Sequence, residues 1–325
     1  MPHVVVLATG GTISARRSDA GGALLASDGA DRLVGAVAVP PGVTVEAHDV
    51  LKAGSYGLTL GNLRTIADTV AEHLTRRDVD GIVVTHGTDT LEETAILLDL
   101  VHADPRPVVL TGAQRSADVP DTDGPRNLAD AITVAADPQL RGHGVVVAFG
   151  GAVLAARGVR KSHTVDLAAF TGRAGRLATV LDGGVTVDAF PHRPVLLDHP
   201  TAELDDVRVD ILLAYPGARP DLLRAAAEAG AHGVVIAGTG VGNAPPGFAA
   251  AISVLTEQGV VVGLSTRVTA GPVRPVYGDG GGADLVAAGA VPLALPAAQG
   301  RIALALLLST GLAPDQVAKQ LGSLA

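Results

Sequence analysis

The chain has no cysteine, which removes disulfides, thiolate metal sites and a cysteine nucleophile together. Aromatic residues supply only 2% of its 325 positions, so the core must be built from Ala, Val, Leu and Ile. Positive charge is scarce: 24 Lys+Arg face 33 Asp+Glu, a net charge of -9. That balance argues against nucleic acid or an anionic membrane as the main partner. Long apolar runs are missing as well, because Gly, Pro or a charge interrupts each one, and no membrane span is expected. The start Met1-Pro2-His3 leads straight into an apolar segment without the basic flank, long apolar stretch and cleavage site of a signal peptide. A cytoplasmic location is the expectation. The ten histidines are scattered, with no H-x-x-x-H pair and no metal-type cluster with nearby carboxylates, so no metal is expected.

What is present describes a folded α/β chain. The composition is 47% hydrophobic and 18% charged, enough to bury a sizeable core, and the length fits two domains better than one. Val4–Leu7, Gly81–Thr85, Pro107–Thr111 and Gly144–Phe149 read as buried parallel strands. Helical spacing of apolar residues covers Leu60–Arg76, Leu91–Val101 and Asn127–Ala136. This alternation predicts a larger N-terminal domain, residues 1–190, with a mostly parallel sheet and helices on both faces. Pro191–Val207 holds three prolines and no clear period, and residues 191–208 are read as a linker. Strand-like Val209–Ala214, Gly233–Ala237 and Val260–Leu264 then alternate with helix-like Pro220–Ala229, Gly247–Gln258 and Gln299–Thr310. They predict a smaller C-terminal α/β domain, residues 209–325. Gly278–Gly282 reads as a mobile loop.

Two motifs carry chemistry. The first strand runs into Ala8-Thr9-Gly10-Gly11-Thr12-Ile13, where glycines permit a tight turn and a close backbone approach to a ligand. Ligands of open parallel sheets bind beyond the carboxyl ends of the strands, which places Thr12 at the mouth of the sheet. The alternative is that Thr9 and Thr12 are only turn and cap residues. The segment lacks G-x-G-x-x-G spacing, so dinucleotide binding is unsupported. A later strand ends in Thr85-His86-Gly87-Thr88-Asp89-Thr90, ahead of Leu91-Glu92-Glu93-Thr94. Thr88 and Asp89 sit where a helix begins, a position that favours anions; as an alternative, either is the N-cap. His86 reads as a catalytic group or as a hydrogen-bonded core histidine.

Together, A-T-G-G-T-I and T-H-G-T-D-T-x-E-E-T resemble the bacterial-type L-asparaginase family. The likeness extends through Gly112-Ala113-Gln114-Arg115 with Asp123-Gly124-Pro125-Arg126-Asn127-Leu128, through Ala156-Arg157-Gly158-Val159-Arg160-Lys161, and through Gly238-Thr239-Gly240-Val241-Gly242-Asn243. The resemblance implies an amidohydrolase that cleaves the side-chain amide of L-asparagine through a threonine ester and needs no cofactor. It makes Thr12 the first nucleophile candidate and matches Thr88, Asp89 and Lys161 to the family's Thr–Asp–Lys group. Ser55, in Ala53-Gly54-Ser55, matches the serine that binds the substrate α-carboxylate. Ala113 matches a position whose backbone contacts the substrate amide. Gly11, Gly54, Tyr56 and Gly87 complete the expected substrate site, and Asn243 matches an asparagine contributed across a dimer. A homodimer or homotetramer is therefore expected, with a small amino-acid amide as the other partner. A threonine hydroxyl needs a base or a cation to attack at neutral pH, and Lys161 beside Asp89 can supply it. N–H donors for the tetrahedral intermediate are expected from the Gly87–Asp89 turn. Otherwise Lys161 is a surface residue in a basic run with Arg157 and Arg160.

The chain also departs from the family. A loop tyrosine usual after the nucleophile is absent from Gly21-Gly22-Ala23-Leu24-Leu25-Ala26. No glutamate lies within Pro275–Ala287, where the family often places that tyrosine's partner. Tyr56 stands where a glutamine often follows the serine. Tyr56 or Tyr277 replacing the tyrosine, an altered amide substrate such as L-glutamine, and a non-catalytic ligand-binding role are the three explanations.

Overall fold

The computed structural model describes residues 1–18, 22–191, 193 and 195–324. It divides into two compact units, Met1–Leu196 and Leu197–Ala325.

The strands of the first unit are β1 (His3–Gly10), β2 (Ala15–Arg17), β3 (Leu24–Ala26), β4 (Thr44–Ala53), β5 (Gly81–Thr85), β6 (Val108–Thr111), β7 (Val145–Phe149), β8 (Ala152–Ala155), β9 (Val159–Lys161), β10 (Phe170–Gly172), β11 (Arg176–Leu181) and β12 (Gly184–Val187). Its helices are α1 (Ala30–Gly35), α2 (Leu60–Leu74), α3 (Leu91–Val101) and α4 (Gly124–Ala136). Eight strands form one sheet in the order β12-β11-β8-β7-β6-β5-β1-β4. It is parallel from β4 to β7 and antiparallel from β7 to β12. Strand alternation sorts the core into two layers. Val4, Val6 and Ala8 of β1 pack with Leu128, Ala131 and Ile132 of α4 on one face. Val5 and Leu7 pack with Ile66 and Val70 of α2 and Leu91, Ala95 and Leu98 of α3 on the other. Burial on both faces explains why these strands read as unbroken apolar runs.

Several boundaries differ from those the sequence predicts. α2 stops at Leu74, two residues early, because Thr75 takes the C-cap and its hydroxyl donates to Glu72 O (2.7 Å). α4 begins at Gly124 rather than Asn127, with Pro125 in its first turn, where a missing N–H costs nothing. β4 has no counterpart in the expected strands. It is the sheet's edge, half-buried, and its polar sequence TVEAHDVLKA lacks the apolar run of a central strand. Residues 193 and 195, read as linker, are held to the first unit: Arg193 Nε donates to Asp99 Oδ1 (2.8 Å) and Arg157 donates to Val195 O (2.6 Å).

The second unit contains β13 (Val209–Leu213), β14 (Gly233–Gly238), β15 (Val261–Thr266) and β16 (Val291–Pro292), paired in that order and all parallel. Its helices are α5 (Asp221–Glu228), α6 (Phe248–Glu257), α7 (Gly282–Ala287), α8 (Ala297–Leu308) and α9 (Pro314–Ser323). Leu223, Ile252 and Leu285 of α5, α6 and α7 join Val234, Ile236, Val262 and Leu264 in its core. The Gly278–Gly282 patch leads into α7. Its turn is closed by Gly280 N donating to Asp284 Oδ2 (2.6 Å), and Gly282 already belongs to α7. Among the described residues, no helix is long and apolar enough to cross a membrane.

Candidate active site

β1 is followed in the chain by β4 on one side of it and then by β5 on the other. The gap between β1 and β5 at their carboxyl ends is thus the topological switch point of the sheet, where open α/β folds bind ligands. Thr9 ties the two ends together, its hydroxyl donating to Thr85 O (2.8 Å).

Glycines let three loops converge there. Gly11 has φ +82°, and a Cβ on it would lie 2.3 Å from Gly87 Cα. A Cβ on Gly87 would lie 2.6 Å from Ser55 Oγ. The loops after β1 and β5 therefore touch backbone to backbone, and Gly87 leaves just enough room for the Ser55 side chain of the loop after β4. They wall a cleft of about 360 Å³ lined by Gly11, Thr12, Gly54, Ser55, Tyr56, Gly87, Thr88 and Asp89, together with Leu24–Ala26 and Lys52.

Thr88 and Asp89 do not cap α3. The N-cap is Thr90, and its own hydroxyl turns away to donate to Ser55 O (2.9 Å). This leaves the other two side chains to Lys161, which arrives from β9, 73 positions after Thr88. Its Nζ donates to Thr88 Oγ1 (2.8 Å) and to Asp89 Oδ1 (2.7 Å). Its backbone N–H donates to Glu92 Oε2 (2.7 Å), fixing β9 against the start of α3. Burial in that contact raises the Glu92 carboxyl above its ordinary range. Lys161 is only 18% exposed and Asp89 56% exposed. The lysine is thus no surface member of a basic run.

Thr88 is buried, and its hydroxyl donates in turn to Gln114 Oε1 (3.1 Å). Thr12 sits half-buried at the start of a 3-10 turn, Thr12–Ser14; among the described residues its hydroxyl has no hydrogen-bond partner. The backbone N–H groups of Thr88 and Asp89 likewise make no hydrogen bond to a described residue. A cleft with an unengaged threonine hydroxyl, a second threonine hydroxyl held by lysine and two open N–H donors can support nucleophilic attack on a carbonyl.

His86 is a structural histidine. Fully buried, its Nδ1 lies 2.7 Å from Gly87 O and its Nε2 lies 2.9 Å from Thr94 Oγ1. The carbonyl can only accept, so Nδ1 carries the proton and Nε2 receives the Thr94 hydroxyl. Burial drives its pKa down to about 4. Ala113, expected to meet the substrate through its backbone, is fully buried in the core just after β6. The following residues are clamped by Asp123, which accepts from Gln114 N and Arg115 N (2.9–3.1 Å). Asn243 belongs to the second unit, where its Oδ1 accepts from Gly282 N (2.9 Å).

Tyr56 is the tyrosine of the cleft. It is largely exposed, its ring lying against Gly54, where a Cβ would meet Cε1 at 2.5 Å. Gly21 lies outside the described residues; Leu24 and Leu25, on β3, give the cleft an apolar edge where the family usually has its tyrosine. Sequence reasoning assigned no role to Gln114 or Lys52. Gln114 was visible inside a motif, yet nothing in its spacing from Thr88 reveals their contact.

A two-unit α/β fold, with threonine hydroxyls, a lysine and a carboxylate at the switch point of the larger sheet, is that of an amidohydrolase. Within that class it belongs to the asparaginase family. Residues 3–193 match the model "Asparaginase, N-terminal", and residues 208–321 match "Glutaminase/Asparaginase C-terminal domain". A probable L-asparaginase of Deinococcus radiodurans is 38% identical, over 98% of this chain and 96% of its own. A glutaminase-asparaginase of Pseudomonas aeruginosa is 33% identical, over 83% of this chain and 77% of its own. The crystal structure of a probable cytoplasmic L-asparaginase from Campylobacter jejuni matches with a TM-score of 0.87 at 29% identity, covering 99% of each chain.

Proposed function

We propose that this chain hydrolyses the side-chain amide of L-asparagine to L-aspartate and ammonia, with Thr12 as nucleophile. Thr12 Oγ1 attacks the amide carbon, and N–H groups of the Gly87–Asp89 turn hold the oxyanion. The C–N bond breaks, and the hydroxyl proton leaves with the nitrogen as ammonia. A water then attacks the threonine ester, releasing the acid and restoring the hydroxyl. Thr88, Lys161 and Asp89 handle the proton. Lys161 keeps one acceptor site of Thr88 Oγ1 engaged and is itself anchored by Asp89. Ser55, at the end of β4, takes the substrate α-carboxylate, and Gly11, Gly54, Tyr56 and Gly87 shape the pocket. Ala113 and Asn243 are further substrate contacts in this reading, Asn243 from a second copy in a homodimer or homotetramer. The observation that carries the proposal is Lys161 Nζ within 2.8 Å of both Thr88 Oγ1 and Asp89 Oδ1, at the cleft that Thr12 lines.

Glutaminase activity is the second reading. It is favoured by the Pseudomonas aeruginosa relative's description and by the apolar edge from Leu24 and Leu25. One methylene changes selectivity by only about 1–3 kcal/mol, so both amides are to be tried. Ammonia release from L-asparagine, D-asparagine and L-glutamine, each with Thr12→Ala alongside, tests the proposal. Thr12-dependent release from L-asparagine is expected. A Thr12→Ala protein that keeps more than a tenth of the wild-type rate ends the nucleophile assignment. A cytoplasmic setting follows the Campylobacter jejuni neighbour, whereas a Haemophilus influenzae relative is described as periplasmic. Cell fractionation separates the two.

A further inference from the structure

Folding brings together residues that look unrelated in the sequence. Glu46 and His48 are two positions apart on β4 and so point to the same side. His73 is in the last turn of α2, which packs beside that strand. One ligating atom from each of the three lies within 4.8 Å of the other two. His48 Nε2 and Glu46 Oε1 are 2.5 Å apart. The two imidazole rings stand 4.7 Å apart, centroid to centroid, tilted by 42°. All three side chains are half-buried and can be reached from solvent. Two imidazoles and a carboxylate form a donor set that takes borderline divalent cations.

We propose that Glu46, His48 and His73 form a binding site for a cation of the Zn²⁺ class, with water completing a tetrahedral shell. Metal–ligand bonds of about 2.0–2.2 Å put ligand atoms roughly 3.3 Å from one another. The Glu46–His48 pair opens and His73 closes by amounts within reach of side-chain rotation. The metal takes the place of the hydrogen between His48 and Glu46, and the imidazole keeps its one proton on Nδ1. Arg76 is the competitor. Its guanidinium donates to Glu46 Oε1 (3.0 Å) and Oε2 (2.8 Å), and also to Asp78 Oδ2 (2.8 Å). His3 Nε2 stands 3.2 Å from Glu46 Oε2, in the same shell. Arg76 orients the carboxylate as an outer-shell partner does, but its charge opposes a second cation and keeps the affinity moderate. Bound metal joins the edge strand of the sheet to α2, independently of amide hydrolysis in the cleft.

The test uses the full chain without a histidine tag, titrated with Zn²⁺ by calorimetry and with Co²⁺ by visible absorption near neutral pH. One equivalent per chain is expected, with the intense bands of tetrahedral Co²⁺. His73→Gln and His48→Gln should each weaken binding at least tenfold, and Arg76→Gln should tighten it several-fold. Zinc should raise the unfolding temperature of the wild type and not that of His73→Gln. Absence of saturable binding, or unchanged affinity in both histidine variants, overturns the proposal.

Discussion

Replacing Gly11 by alanine tests whether the convergence of the loops, rather than their individual residues, makes the cleft. The new Cβ would sit 2.3 Å from Gly87 Cα. Carbon atoms in contact need roughly 3.5 Å, so the two loops must separate by about 1 Å. Alanine at φ +82°, ψ -174° adds a backbone conformation that is essentially restricted to glycine, at about 1–3 kcal/mol. The two terms act on different observables. Strain lowers stability, and at ~2–4 °C per kcal/mol for a unit of this size the unfolding temperature should fall by roughly 2–12 °C. Separation moves Thr12 away from the Thr88 loop, and a displacement of about 1 Å costs on the order of 100-fold in rate. Gly42→Ala provides the control: its φ is +80°, but a Cβ there meets nothing within 4 Å. It should lose similar stability and keep its kcat. Steady-state ammonia release and thermal unfolding of both variants make the measurement. If folded Gly11→Ala retained more than a fifth of wild-type kcat, or if Gly42→Ala lost activity to the same degree, the steric argument would be wrong.

Lys161→Met should lower kcat by about 10²–10⁴-fold, the usual range for losing a proton-handling group, with a much smaller change in KM; a loss under tenfold would remove Lys161 from the mechanism. The neutral His86 imidazole adds stability that is complete above its unfolded pKa of about 6.5 and is lost as pH falls toward its folded value of about 4. The loss over that window is about 3 kcal/mol, seen as a falling urea midpoint, and a His86→Gln protein with the same fall would place its cause elsewhere. Asp99, buried between Arg157 Nε (2.7 Å) and Arg193 Nε (2.8 Å), is the residue whose replacement by alanine should most weaken the first unit. The expected cost is about 3–5 kcal/mol in denaturant unfolding, and less than 1 kcal/mol would mean that solvent already screens the pair.

The parts of the fold legible in the sequence were those with one dominant pattern. Gly81–Thr85 and Leu91–Val101 appear with the expected bounds because the first is buried along its whole length and the second throughout Thr94–Leu100. β4 escaped notice for the opposite reason: none of its residues is fully buried, and Glu46, His48, Asp49 and Lys52 mask its period. The short antiparallel strands from β8 to β12 are stabilised by pairing with neighbours, which local sequence does not encode. At the cleft, Gly10-Gly11-Thr12 and Gly87-Thr88-Asp89 were legible as strand-end chemistry without any relative. Lys161 was placed there only by resemblance, since nothing local distinguishes it from Arg160. The Thr88–Gln114 and Thr90–Ser55 contacts were invisible, because each joins loops after different strands.

The glycine seam also limits how this protein can change over time. When two bulky side chains meet, enlarging one can be compensated by shrinking the other, and a lineage can drift through such pairs. Gly11 and Gly87 leave no such route, because neither partner has a side chain to give up. A Cβ on Gly10 would likewise strike the carbonyl oxygen of Ala53 at 2.4 Å, and one on Gly112 that of His86 at 2.4 Å, both main-chain atoms. Compensation would require the strands to move, so variants with new substrate preference are to be sought in Leu24, Leu25 and Tyr56, whose side chains are free to change size.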